Sequence, residues 1–313
     1  MRLLLAAGLA LLALIACNRT PGPNSKDTST KQSAAKARPA SEDTTPGVIF
    51  VGAGDIASCD DLAGAQATAD LLDKIPGTVF AVGDLAYPEG TDEQFAKCYG
   101  PTWGRHRTRT RPVPGNHEYH TGGASGYARY FAAAAGDPTK GYYSYELGGW
   151  HIVALNSECD QIGGCGSGSA EEQWLRKDLA DHNVACTLAY WHKPLFSSGA
   201  KHGDDPETKA LWQALYDDGA ELVINGHDHD YERFAPQDPN GVADPSHGIR
   251  EFVVGTGGKN SHRAFGKVDA NSEVRNADTF GVLKLTLRPK GYSWEFVPQA
   301  GKTFSDSGSG VCH

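Results

Sequence analysis

Long apolar sequence is scarce in this chain of 313 residues: only one such run occurs, at the extreme N-terminus. A multi-span membrane protein is thereby excluded, because each spanning helix needs about 20 apolar residues. Excess positive charge is also missing. Lys and Arg total 29 against 38 Asp and Glu, a formal net charge of −9. Nonspecific nucleic-acid binding through charge alone is not expected, and no specific nucleic-acid partner is implied. No C-x-x-C spacing occurs, which argues against a cysteine-rich metal site. The glycine-rich stretches Thr121–Gly126 and Gly255–Gly258 are followed by no Gly-Lys-Ser/Thr, so neither reads as a P-loop. Both are expected to be loops that shape a pocket. Ser157 and the other serines lie in no nucleophile elbow, and serine-hydrolase chemistry has no support. No internal repeat is present.

What is there suffices for a folded core: 39% of residues are hydrophobic and 21% charged. The N-terminal run reads Met1-Arg2, then Leu3 to Ala16, then Cys17. A basic start, an apolar stretch and small residues before its end form an export signal. Leu14-Ile15-Ala16-Cys17 resembles a bacterial lipobox, which predicts lipidation of Cys17 and a periplasmic or cell-surface protein whose only membrane contact is that lipid. Residues 18–46 are rich in Ser, Thr, Ala, Lys and Pro and lack aromatics. Such a segment buries too little apolar surface to order itself and reads as a flexible tether. The expected organisation is therefore a signal over 1–17, a tether over 18–46 and a globular domain over 47–313. Six cysteines remain beyond Cys17, an even number that suggests disulfides in an exported chain. Cys159 and Cys165 flank Gly163-Gly164 and are expected to pair; Cys59–Cys98 and Cys186–Cys312 are one completion.

The globular region alternates strand-like and helix-like patterns. Strands are expected at Val48–Val51, Thr78–Val82, Arg111–Val113, Cys186–Tyr190, Leu222–Ile224, Glu251–Val254, Val282–Leu287 and Tyr292–Val297. Tyr142–Leu147 and Trp150–Leu155 flank Gly148-Gly149 as a hairpin, and helices are expected at Leu62–Ile75, Glu171–Asp181 and Pro206–Asp217. This is a layered α/β pattern, two sheets packed inside helices. Five strands run straight into polar clusters, at Asp55, Asp84, Asn116, His192 and His227. Ligands of α/β folds bind beyond the carboxyl ends of strands. Each cluster alone reads more simply as a helix cap or a satisfied histidine, as does His151 within its strand. Five together, built from Asp, Asn, His and Tyr, supply hard and borderline ligands for Fe, Zn, Mn or Mg.

Gly54-Asp55, Gly83-Asp84-Leu85-Ala86-Tyr87, Gly115-Asn116-His117-Glu118, Trp191-His192-Lys193-Pro194 and Gly226-His227-Asp228-His229 resemble, in order, the five blocks of the calcineurin-like metallophosphoesterases. Tyr87, and Tyr231-Glu232-Arg233 after the last block, resemble the purple acid phosphatase branch. The resemblance implies a four-layer α/β/β/α sandwich of two mixed sheets flanked by helices. It also implies a dinuclear site, Fe(III) with a divalent Fe, Zn or Mn. Asp55, Tyr87 and His229 would hold the first ion, Asn116, His192 and His227 the second, and Asp84 both. The implied activity is phosphate-ester hydrolysis by direct attack of a metal-bound hydroxide on a small phosphate ester. His117 would protonate the leaving group, and His202 would match a second histidine outside the ligand set. Lys201 stands where the branch often has another histidine, and Ala57 where it commonly has glycine. The β-sandwich domain that precedes the catalytic domain in large plant members is not expected.

Three functions share this pattern: a phosphomonoesterase, a phosphodiesterase or nucleotide hydrolase with the same site, and a non-catalytic metal-binding lipoprotein. His117 and His202 speak against the last, because a purely structural metal site has no use for proton donors beside it. Arg105, Arg107, Arg109 and Arg111 alternate and are expected on one side of an extended segment, either as a solvated face or as an anion-attracting rim.

Overall fold

The computed structural model of the protein describes residues 46–259 and 264–313. The expected signal with Cys17, and the tether as far as residue 45, lie outside the described residues. Among the described residues no helix is long and apolar enough to cross a membrane.

The first half of the domain contributes strands β1 (Val48–Ala53), β2 (Ala57–Ser58), β3 (Thr78–Val82), β4 (Ala86–Tyr87), β5 (Thr110–Val113), β6 (Tyr143–Leu147) and β7 (Trp150–Ala154). The second half adds β8 (Thr187–Tyr190), β9 (Leu222–Asn225), β10 (Tyr231–Phe234), β11 (Arg250–Val254), β12 (Ser272–Asn276), β13 (Gly281–Arg288), β14 (Gly291–Pro298) and β15 (Ser307–Val311). They build a six-stranded sheet in the order β15-β14-β13-β1-β3-β5 and a seven-stranded sheet in the order β12-β10-β11-β9-β8-β7-β6. The strands that carry the polar clusters, β1, β3 and β5 in one sheet and β8 and β9 in the other, are parallel within their sheets. Parallel strands are covered on both faces, which is why β1 and β3 read as unbroken apolar runs. Strand β13 is antiparallel to its neighbours and alternates, burying Leu283, Leu285 and Leu287 while Lys284, Thr286 and Arg288 are only half-buried.

The sheets face each other across an aromatic layer. Phe50 meets Phe80 of its own sheet at 4.9 Å between ring centroids and Tyr190 of the other sheet at 5.8 Å. Phe252 and Trp294 make a second contact between the sheets, at 5.7 Å. Full burial of each such phenylalanine stabilises the fold by roughly 1.5–3 kcal/mol. Helix α1 (Ala63–Leu72) packs Ala65, Ala69 and Leu72 on the first sheet, and α2 (Ser125–Phe131) adds Tyr127 and Phe131. Helices α3 (Ala170–Asp181) and α4 (Lys209–Asp218) lay Leu175, Leu179, Leu211, Trp212 and Leu215 against Val153, Ala189 and Val223 of the second sheet. The result is the expected layering of two mixed sheets flanked by helices. Disulfides join Cys59–Cys98, Cys159–Cys165 and Cys186–Cys312, the last closing a separation of 126 residues. His151 is a satisfied core residue, with ring nitrogens 2.8 Å from Glu146 and 2.8 Å from Asp178.

The arginine run differs from expectation. Trp103–Arg109 is a 3-10 helix, not an extended segment. Arg105 pairs with Asp70 and Asp73 at 3.1 and 2.8 Å, and Arg109 donates to the carbonyls of Leu72 and Gly77, both at 2.7 Å. Arg107 and Arg111 lie against the rings of Tyr130 and Tyr145. These side chains clasp the end of α1 and nearby aromatics, so the run is neither a solvated strand face nor an anion rim. Part of the Thr121–Gly126 loop is the start of α2, and strands β10, β12 and β15, with the short pair β2-β4, are additions to the expected set. The motif residues Tyr231-Glu232-Arg233 are themselves strand.

Candidate metal centre

Strands β1 and β3 each end in Gly-Asp, and both aspartates adopt left-handed backbone, φ 59° at Asp55 and 53° at Asp84. His227, after β9, does the same at 72°. Such conformations are costly for residues with a Cβ and persist where the surroundings enforce them, typically at functional sites. The glycines of the blocks permit the close approach. A Cβ on Gly115 would stand 2.3 Å from Asp84 Oδ1, and one on Gly226 2.7 Å from Asp55 Oδ2.

Two groups of donors result. In the first, Asp55 Oδ1 accepts from the Tyr87 hydroxyl at 2.8 Å and lies 3.3 Å from His229 Nε2. The Tyr87 and His229 donors are 3.2 Å apart. Asp55 Oδ2 accepts the His227 amide at 2.9 Å, which joins the carboxyl ends of the two sheets. In the second group, the ligand atoms of Asp84, His192 and His227 all lie within 4.8 Å of one another. The His192 Nδ1–H donates to Val82 O at 3.0 Å, which leaves Nε2 facing Asp84. Asn116 shares the cavity wall, and its Oδ1 is buried with no hydrogen-bond partner. A buried acceptor of this kind is costly unless something fills its need. With carboxylate, amide oxygen, phenol and imidazole converging, the residues fit a pair of first-row cations.

His117 and His202 reach the same place. The His117 amide donates to Asp84 Oδ1 at 2.9 Å; its ring Nδ1–H donates to Pro88 O at 2.6 Å, and Nε2 is 3.7 Å from Asp84 Oδ2. The ring of His202 lies 3.9 Å from that of His227. A cavity of about 450 Å³ opens over Asp84, Tyr87, Asn116, His117, His202 and His227. All nine residues singled out in the sequence are therefore brought together.

The charges are strongly coupled. Burial works against ionised Asp84, but His192, His117 and His227 hold its carboxyl far below the usual range. Burial likewise lowers His192, and Asp84 more than reverses that, raising it to about 10. Burial, then Asp55 and Asp84, push the Tyr87 phenol well above its ordinary value. A phenolate here requires cations that offset the two carboxylates.

Two supporting residues escaped the sequence reading although they stand inside the blocks. Glu118 is fully buried and accepts four backbone amides around Asp84 and Gly115. Asp228 accepts Ser197 Oγ at 2.7 Å and the amides of His202 and Gly203 at 3.2 and 3.0 Å, fixing the segment that carries His202. The Gly255–Gly258 loop works as a brace. Gly257 N donates to Gly54 O at 2.8 Å and Lys259 N to Asp55 O at 2.9 Å.

The sequence matches the calcineurin-like phosphoesterase family over residues 50–231. The chain belongs to that family. Its relatives include purple acid phosphatase 15 of Arabidopsis thaliana, 30% identical over 257 residues that cover 69% of this chain and 47% of the relative. Acid phosphatase A of Cryphonectria parasitica is 26% identical over 56% of this chain and 40% of its own. The chain spans about half the length of the curated relatives it matches. Among solved structures, the yellow lupin purple acid phosphatase PPD1 superposes with a TM-score of 0.66 at 19% identity, over 84% of this chain and 53% of that one. The Plasmodium protein GAP50 superposes at 0.61 and 14% identity, over 83% of this chain and 88% of its own. Family membership and fold agree with the two-sheet architecture and with a dinuclear metal centre at the strand ends.

Proposed function

We propose that the protein hydrolyses phosphate monoesters with a two-metal site of the purple acid phosphatase type. The observation that carries this reading is the place of the Asp84 carboxylate between the donor groups: its Oδ2 is 3.1 Å from the Tyr87 hydroxyl and 3.4 Å from His192 Nε2. Asp55, Tyr87 and His229 would hold Fe(III), for which a phenolate is a hard, matching ligand. Asn116, His192 and His227 would hold a divalent Fe, Zn or Mn, and Asp84 would be common to both. When bound, such a pair polarises phosphoryl oxygens and acidifies water.

The protein's own groups supply the rest. With Nδ1–H donated to Pro88 O, His117 turns Nε2 to the cavity and, in its imidazolium form, would give the Nε2 proton to the leaving alkoxide. His202, packed on His227, holds that ring in orientation. No serine or cysteine is among the described residues that line the cavity, which supports water over a side chain as nucleophile. The three disulfides fit an oxidising compartment, in keeping with export; a lipid on Cys17 would be the anchor.

A paired assay tests the reading. Metal-loaded protein is given p-nitrophenyl phosphate and bis(p-nitrophenyl) phosphate. Monoester turnover at least about 10-fold faster than diester turnover is expected. The reverse order replaces the proposal with a phosphodiesterase, and turnover of neither rejects hydrolysis.

A further inference from the structure

We propose that Lys201 and Lys259 form an anion-binding pair that selects phosphate esters carrying a second negative group close to the scissile phosphate. The inference rests on the hydrolytic reading above and names its substrate class.

Both lysines line the cavity, and each stands beside one of the two donor groups. Lys259 belongs to the Asp55–Tyr87–His229 side. Its amide donates to Asp55 O at 2.9 Å, its ammonium lies 4.9 Å from the centre of the Tyr87 ring, and that ammonium donates to Ser58 Oγ at 3.0 Å. Lys201 belongs to the Asn116–His192–His227 side, next to His202. The backbone before it is tied by Ala200 N to Ala264 O at 2.9 Å and by Gly266 N to Ser198 O at 2.8 Å. The backbone after it is tied by the amides of His202 and Gly203 to Asp228. The two side chains thus start from fixed backbone, and the ordering that remains on binding is that of the lysine stems.

Their charge is available. Lys193, the other lysine of the motif region, is already paired with Glu158 at 3.0 Å. Among the described residues no carboxylate pairs with Lys201 or Lys259. Two such cations stand at one cavity in a chain whose net charge is −9. A scissile phosphoryl group would be held by the cations that the seven donors bind and by His117, and would not need the lysines. A second anion two or three bonds away would. An ester without that anion would leave both ammonium groups without an anionic partner.

The test compares glycerol 2-phosphate with 2-phosphoglycerate, which differ by a carboxylate in place of a hydroxymethyl group. Wild-type kcat/KM is expected to favour 2-phosphoglycerate by at least about 10-fold, the worth of one charge-assisted contact. Lys201→Met and Lys259→Met keep the aliphatic stems and remove the charges. Each is expected to lower the ratio, and the double variant to bring it below about 3, with added salt shrinking the wild-type ratio in the same direction. A wild-type ratio near one, or a double-variant ratio equal to the wild type's, overturns the pair. Should neither ester be turned over, the hydrolytic reading fails on its own account. Calorimetric affinities of the same two ligands for the wild type and the double variant then decide the lysines by the same ratios.

Discussion

The Glu118 carboxylate grips the backbone of Asp84, not its side chain: Oε2 accepts the Asp84 amide at 2.9 Å while also accepting Gly115 N at 2.9 Å. Oε1 takes the next two amides, Leu85 at 2.9 Å and Ala86 at 3.3 Å. One buried carboxylate therefore locks the turn after β3 to the turn after β5, and with them the strained φ of Asp84. Burial and Asp84 push the Glu118 carboxyl up to about 8, against the four amides it accepts; Glu118→Gln keeps the size but turns an N–H₂ group toward amide donors. It is expected to weaken metal affinity by about 10–100-fold, as supporting residues of metal sites do, and to lower Tm. Calorimetric metal titration and thermal melts check both; unchanged affinity would show that the turn holds itself.

Asp84→Asn removes the negative charge that two cations would share. Loss of bound metal and at least about 10²-fold in phosphatase activity are expected, as for a core ligand. Metal content measured alongside turnover decides; wild-type values for both reject the bridging role.

Tyr87→Phe separates ligation from packing. Protein prepared with iron is expected to be pink or purple from phenolate-to-Fe(III) charge transfer, and the Phe variant colourless with an unchanged circular dichroism spectrum. A colourless wild type, or a visible band that survives the substitution, means that Tyr87 only packs beside the site.

Two carboxyls outside the ligand set contribute to the dependence of stability on pH. Burial pushes Glu171 up to about 8 and Glu221 up to about 7, from the ordinary 4.5 of an exposed glutamate. Between those limits the folded protein keeps protons that the unfolded chain has released. Their stabilisation is therefore complete below pH about 4.5 and disappears as pH rises through about 7–8. Tm measured from pH 5 to 8 is expected to fall, and Glu171→Gln, which cannot ionise, to flatten the fall. An identical slope in the variant refutes the assignment.

Cys17→Ser concerns the membrane. If a lipid on Cys17 is the anchor, the variant folds and is exported but leaves the membrane fraction. Fractionation of cells expressing either form reads this directly, and continued membrane association of the variant rules the anchor out.

The donors were legible in the chain because their chemistry is local. A single strand that runs into Gly-Asp or Gly-Asn-His has a simpler use as a cap, but five such endings in order carry the resemblance. The interior strands β1, β3, β8 and β9 were legible for a related reason: burial on both faces demands unbroken apolar runs. Strand β15, Ser-Gly-Ser-Gly-Val, has no such pattern. It exists because β14 offers it an edge and Cys312 is tied to Cys186. The arginines misled because alternation at period two describes a strand only if the backbone is extended. Here contacts to Asp70, Asp73 and the end of α1, distant in sequence, favour a 3-10 turn.

The inventory of the site is written locally in the chain: which residue types are present, that they follow strands, and that they suit hard and borderline cations. Their arrangement is a property of the packed sheets. That Asp84 reaches both donor groups, that Glu118 and Asp228 accept backbone amides, and that Lys201 and Lys259 share one cavity all depend on how two sheets meet at their carboxyl ends. The physical reason is range. Ligand chemistry and strand periodicity are written within a few residues, whereas distances between side chains from different sheets are set by the packing of the whole aromatic layer between them.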